Sequence, residues 1–364
     1  MKKITIFLLS LSMLLLLTAC SDLGAGENTG DRTNQTSVIN ASEPTDAGEP
    51  ADAGEPTDAD DEQIEEEVHE SPPRRGLTFI ESNATSADMR AFEAANAVSP
   101  EQERYLAFGA FVMTNNYESI RVFALDISAS SSDRLLRDFW SIEDRDSALV
   151  QLISLSSADG QAPVANDIYN SLVKNGYTRP LEPIDVFLVH AHGGLEHMYE
   201  ISKIRAERMM DEFKMWLASL EEDVGQVDRD EAFEVFIAML MTERINRGLE
   251  AYAGAKRLLI NHFDYTEEEL LNLPSLDAWD YGRAAIIARY SAESGYLEED
   301  ETWQYLKQAA DSASKIYSSW REYTAAHILG RSLAFGNNSD DFRDALEFLL
   351  NHPESSFQTI DFKG

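Results

Sequence analysis

The sequence predicts a mostly α-helical domain, and three observations carry that reading. Apolar residues recur at three- and four-residue spacing over much of the chain beyond residue 77. Acidic or hydroxyl residues mark the helix openings, some with an acid three positions further on. Glycine and proline close or separate the segments. With 364 residues, 43% hydrophobic and 26% charged, the chain suffices for one large or two small cores. We read a single multi-helix domain over 77–364, preceded by a signal peptide and a disordered acidic tether.

Residues 1–20 form the targeting segment. Lys2 and Lys3 give a charged start, 4–17 an apolar run, and Leu17-Thr18-Ala19-Cys20 the end. The run is too short and wrongly flanked for a membrane span. Its last four residues resemble the lipobox of bacterial lipoproteins. That resemblance implies that Cys20 becomes the first mature residue and carries lipid, palmitate included. Cys20 is also the only cysteine, so no internal disulfide exists, and lipidation gives an exported lone cysteine its reason. The expected place is the extracytoplasmic side of a membrane; which membrane is left open. The competing reading is an ordinary cleaved signal with a chance cysteine.

Residues 21–75 read as the tether. Glu-Pro-Thr-Asp-Ala-Gly, Glu-Pro-Ala-Asp-Ala-Gly and Glu-Pro-Thr-Asp-Ala-Asp stand in tandem over 43–60, and the segment carries 16 acids against Arg32, Arg74 and Arg75. Low hydrophobicity with one-sided charge does not offset the entropy of ordering. Such a coil reaches on the order of 40 Å. The short period is low complexity, not a stacked repeat. The formal net charge of the whole chain is −35. That balance disfavours nucleic acid, which is gripped by Lys and Arg on phosphate, and anionic lipid heads. It suits a basic protein or peptide partner, or solubility alone.

Within the domain, a helix starts at Ser99-Pro100-Glu101, with Pro at the first helical position and Tyr105, Phe108 or Gly109, Val112 and Tyr117 as the apolar face. Segment 117–124 alternates weakly and is open to strand or helix. Segments 132–139, 143–155 and 164–174 read as short amphipathic helices, punctuated by Gly160, Gly176 and Pro180. His190, His192 and His197 come after a brief apolar run. His-x-His there resembles the metal motif of metallo-β-lactamase-like hydrolases, but Gly194 and Leu195 stand where that motif has an Asp-His pair. On a helix His190 and His197 share a face and His192 does not. A zinc site needs three or four converging ligands, so no metal is assigned, with these three as the candidates. Segments 199–220 and 230–262 carry the longest helical patterns. Phe233, Phe236, Ile237, Leu240 and Met241 make a strong stripe, read as core packing over a partner groove. The two segments are expected to pair as a helical insertion over about 180–262. Thr266-Glu-Glu-Glu269 is a capping box leading into the stretch 276–335.

Residues 276–335 are the organising stretch and parse into three helices. Trp279, Gly282, Ile286 and Tyr290 line one face of the first, which Gly295 stops. Trp303, Leu306, Ala310, Ala313 and Tyr317 line the second. Ser319 to Glu322 is a capping-box pattern opening the third, with Tyr323, Ala326, Gly330 and Leu333 on one side. A helical glycine costs roughly 1 kcal/mol against alanine, so Gly282 and Gly330 point to close helix contact. Arg283 meets Asp280 at i,i+3, and Arg331 shares a face with His327. Asp280, Arg283, His327 and Arg331 are therefore the candidate site, either a structural ion pair or an anion-binding pocket. Trp279, Gly282, Trp303, Trp320 and Gly330 are its structural motif. A last helix is expected over 340–350, stopped by Pro353, and the tail 354–364 has no assignment.

The stretch resembles a bacterial family catalogued as domain of unknown function 1266. The residues carrying the resemblance are Trp279-Asp280-Tyr281-Gly282-Arg283, Gly295-Tyr296-Leu297, the acids 298–301 before Trp303, Ser319-Trp320 and Gly330-Arg331. Phe139-Trp140-Ser141-Ile142 with Asp144-Arg145 resembles the family's beginning. The family-like core then spans about 135–335. At its end Ser332-Leu333-Ala334-Phe335 departs from the family's aromatic close to a Trp. The resemblance implies a fold and no reaction.

The chain has no phosphate loop, no Gly-x-Gly-x-x-Gly, no Gly-x-Ser-x-Gly and no paired-Cys spacing, so no cofactor is expected. The expected function is a membrane-anchored lipoprotein acting as a non-catalytic binding or scaffold module of the envelope. Two alternatives stand beside it. One is a hydrolase-type enzyme with a pocket at Asp280, Arg283 and Arg331. The other is an acidic immunity-type protein against a basic toxin or peptide.

Overall fold

The computed structural model describes residues 79–364, apart from 178, 179 and 338. The signal peptide, Cys20, the tether and the expected domain start at residue 77 lie outside the described residues. Among those described, 73% lie in helices and none in strands, as a single packed domain.

Four short helices open it: α1 (Phe79–Ala84), α2 (Ala87–Ala95), α3 (Pro100–Ala107) and α4 (Ala110–Asn115). Next come α5 (Ala129–Trp140), α6 (Arg145–Ser156) and α7 (Ala162–Ile168), which runs into a π turn, Tyr169–Val173. Helices α8 (Pro183–Ala191), α9 (Glu196–Arg208) and α10 (Met210–Val224) lead to the 35-residue α11 (Arg229–Phe263). Beyond α12 (Glu267–Leu271) stand α13 (Ala278–Glu293), α14 (Glu299–Ile316) and α15 (Trp320–Phe335). A 3-10 turn (Asp340–Phe342), α16 (Arg343–Asn351) and α17 (Ser356–Thr359) end the chain.

Helices α13 and α15 form the centre. Every residue of α13 from Ala278 to Ser291 is buried, as is every residue of α15 from Tyr323 to Ala334. A helix covered on all sides belongs inside a domain. The expected single face of α13, with Trp279, Gly282, Ile286 and Tyr290, is thus only part of what is covered. Ala284, Ala285 and Ala288 occupy its other sides, and small residues let neighbours close in there. Helices α5, α6, α14 and α15 pack on α13, while α7 and α11 pack on α15. On α14 the buried stripe is Thr302, Leu306, Ala309, Ala310 and Ala313. Trp303, expected in that stripe, is half-buried at its edge.

Local signals set the helix ends. Ser99 and Thr266 each close a full capping box. Gly295, at φ +77°, ends α13 in a Schellman arrangement: the Tyr296 N–H donates to Ser291 O at 2.8 Å and the Gly295 N–H to Ala292 O at 3.0 Å. At α15, Ser319 accepts from the Glu322 N–H, but the Glu322 carboxylate takes Ser318 instead of closing the box.

Three sequence expectations are corrected. The helix from Pro100 does not run on to Tyr117; it breaks at Phe108 and Gly109 and resumes as α4. Segment 117–124 is neither strand nor helix, because the buried Arg289 takes several of its carbonyls. The pattern 199–220 is interrupted at Met209, whose ψ of 36° leaves the helical range. The segment 180–262, expected as an insertion, packs on the centre of the domain. A Cβ on Gly248 of α11 would lie 2.7 Å from Leu333 O, and Arg244 donates to Ala334 O at 3.3 Å, so α11 rests on the backbone of α15. The unassigned tail also packs: Phe357 stacks on Trp320 at 4.5 Å, Phe362 meets it edge-on at 4.8 Å, and the Trp320 indole donates to Ile360 O.

Candidate functional site

Asp280 lies in the first turn of α13, wholly buried. Its carboxylate accepts N–H groups from Gly160 (2.9 Å), Gln161 (3.2 Å) and Ala162 (3.0 Å). Gln161 and Ala162 are the N-cap and first residue of α7, whose amides lack helical partners and favour negative charge, and Gly160 precedes them. The carboxylate also pairs with Arg283 one turn on. The Arg283 guanidinium lies 4.9 Å over the Trp279 ring and 5.7 Å from Trp140. One acid therefore caps a helix over a hundred residues away and neutralises a buried cation.

His327, on α15, shares its Nδ1 proton with Ala278 O at 3.1 Å. That bond assigns the tautomer and leaves Nε2 a buried acceptor with no partner among the described residues. The ring sits edge-on to Trp279 at 5.1 Å. Burial pushes the imidazole down to about 3, and Arg331 and Arg283 push the same way, so His327 is neutral. Arg331 turns aside, 4.4 Å over Phe342, and burial lowers it to about 10 against the opposing charge of Asp341.

The four candidates form a buried seam and not a cleft. Asp280 and Arg283 pair on the α7 side, Arg331 lies over Phe342, and His327 with Trp279 sits between. Their exposures are 0%, 2%, 1% and 5% for Asp280, Arg283, His327 and Arg331. Chemically, the seam locks helices together; its groups face one another and backbone, not solvent.

The tryptophans serve three separate places. Trp279 belongs to the seam. Trp320 centres an aromatic cluster with Phe108, Tyr323, Phe357 and Phe362. Trp303 packs on Phe123 at 4.9 Å and donates to Glu299. The histidine trio does not converge. His190 stacks on Tyr199 at 4.2 Å, His192 bonds Leu188 O at 2.6 Å, and His197 faces Asp167 at 3.3 Å. Among the described residues no three potential ligands group to hold a metal.

Sequence reasoning missed Arg289. It is 2% exposed and donates to the carbonyls of Ser119 (3.0 Å), Val122 (2.8 Å), Phe123 (3.3 Å) and Ala124 (3.1 Å). Carbonyls turned toward one guanidinium are unavailable to a helix or a ladder, which is why 117–124 is irregular. Burial lowers Arg289 to about 10, with Glu118 the nearby opposing charge. The available signal was a single charge inside the apolar run 284–290.

Among the described residues, fold and seam define an all-α domain with a buried Asp-Arg pair on α13, one of two covered central helices. The chain belongs to the family described as Protein of unknown function (DUF1266), whose model matches residues 135–362. The match begins inside α5, as expected, and runs past the expected end at 335 to take in the tail against Trp320. No curated protein and no solved structure matches the chain.

Proposed function

We propose that the protein is a lipid-anchored, extracytoplasmic binding module whose central seam is structural. The observation that carries the structural part is Asp280. Its carboxylate, itself wholly buried, is engaged by three amides and by the buried Arg283. The hydrolase-type alternative needs Asp280, Arg283 and Arg331 to meet a solute, and their burial gives it no support. The acidic balance favours a basic partner, which keeps a toxin- or peptide-binding role within the same proposal.

Anchoring is proposed from Lys2, Lys3, the run 4–17 and Leu17-Thr18-Ala19-Cys20. No helix among the described residues is long and apolar enough to cross a membrane. The test is labelled palmitate fed to a bacterial host expressing the full chain. Label in the wild type, absent from Cys20→Ala, is the expected result. An unlabelled, freely secreted wild type would end the anchoring reading.

A further inference from the structure

A cavity of about 230 Å³ lies away from the seam, framed by α1, α2, α4, the loop after α4 and α16. Most of its wall precedes the stretch matched by the family. Ile80, Met89, Ile120 and Phe348 supply an apolar side. Glu93, Thr114 and Glu118 supply the polar side. Thr114 is 3% exposed and its Oγ1 has no hydrogen-bond partner among the described residues, an orphan that a ligand would satisfy. Tyr117, at φ +62°, holds a left-handed backbone at the wall, where non-glycine residues are strained.

The charges decide the ligand. Arg90, Arg121 and Glu354 also line the cavity, but Arg90 donates to Thr85 O at 3.0 Å and lies 4.0 Å from Glu354, and Arg121 pairs with Glu103 at 2.8 Å. Glu93 accepts only the Ser119 hydroxyl, at 2.6 Å, and Glu118 only the Asp126 N–H, at 3.0 Å, among the described residues. Arg289 faces Glu118 electrostatically, yet its N–H groups go to carbonyls. Two carboxylates and a hydroxyl border an apolar wall, and the two lining guanidiniums bond elsewhere. We propose that this cavity binds a small primary alkylamine, its ammonium on Glu118, Glu93 and Thr114 and its chain against Ile80, Met89, Ile120 and Phe348. Burial raises the Glu118 carboxyl above its ordinary range, and a bound ammonium would reverse that. The inference rests on the proposed binding role but not on anchoring, so its failure and that of Cys20 lipidation are read separately.

The test is titration calorimetry of the purified full chain with pentan-1-amine, and with pentan-1-ol as the uncharged match. One saturable site for the amine is expected, with the alcohol at least about tenfold weaker, since charge-assisted bonds dominate. Glu118→Gln should weaken amine binding by about tenfold or more. Met89→Trp, which fills the apolar end and leaves both carboxylates, should abolish it. Thermal melts establish that each variant is folded, and Met89→Trp decides should Glu118→Gln fail to fold. No saturable amine binding, equal binding of the alcohol, or binding unchanged in a folded Glu118→Gln or Met89→Trp overturns the proposal.

Discussion

The imidazole of His327 occupies the space that a side chain at Gly282 would need. A Cβ there would lie 2.7 Å from Nδ1 and closer still to Cε1. Gly330 answers from the other helix: its Cβ would stand 2.8 Å from Leu276 O and 3.1 Å from the Trp279 Cβ. Each Gly-Arg pair thus gives its glycine to the crossing of α13 and α15. The arginine next in the chain is turned by one residue, about 100° round the helix, and leaves the crossing sideways. Arg283 reaches Asp280, and Arg331 reaches Phe342.

Gly282→Ala should therefore destabilise the domain by about 1–3 kcal/mol through overpacking. Because the clash is with one ring, adding His327→Ala should recover part of that loss. Urea unfolding of the two single variants and the double variant gives the coupling. Strict additivity would mean that the contact does not govern the cost.

Asp280→Asn should be more severe, about 3–5 kcal/mol, because it strands the Arg283 guanidinium without a counter-charge. Arg283→Gln strands the carboxylate, which keeps its three amides, and should cost less. Chemical denaturation of both variants tests the order. The reverse ranking would place the main role of Asp280 elsewhere than in the pair.

Arg289→Met should release the loop it gathers. Four carbonyls lose their donor, and burial of even one unpaired group costs about 1–3 kcal/mol. Hydrogen exchange over 117–127 should accelerate well beyond that of α15. Unchanged protection there would show that the loop holds itself.

His327 sets a pH dependence. Folded, it titrates near 3; unfolded, near 6.5. Between those values the unfolded chain holds one more proton, so stability falls as pH falls, by up to about 1.4 kcal/mol per pH unit. Above 6.5 this contribution is complete and flat. His327→Gln lacks it, so the wild-type advantage over the variant should shrink from pH 6.5 toward 4.5. Urea unfolding at several pH values reads the difference, which removes the carboxylates common to both. A gap that stays constant would contradict a neutral, buried imidazole.

What the sequence by itself determined lies within a turn or two of chain. The boxes at Ser99 and Thr266, the stop at Gly295 and the Asp280–Arg283 pair are set by neighbours five residues away or fewer, and spacing alone exposes them. The close contact at Gly282 and Gly330 was legible too, because a glycine in a helix interior needs a reason. Tertiary structure alone decided the rest. The Asp280 carboxylate caps α7 across about 120 residues, and Arg289 gathers carbonyls about 170 residues back. The three tryptophans went to three sites, and the tail closed over one of them. One apolar stripe resembles another, so periodicity shows that a face is covered without showing by what. A buried charge takes whichever partner the packing of distant helices brings within reach.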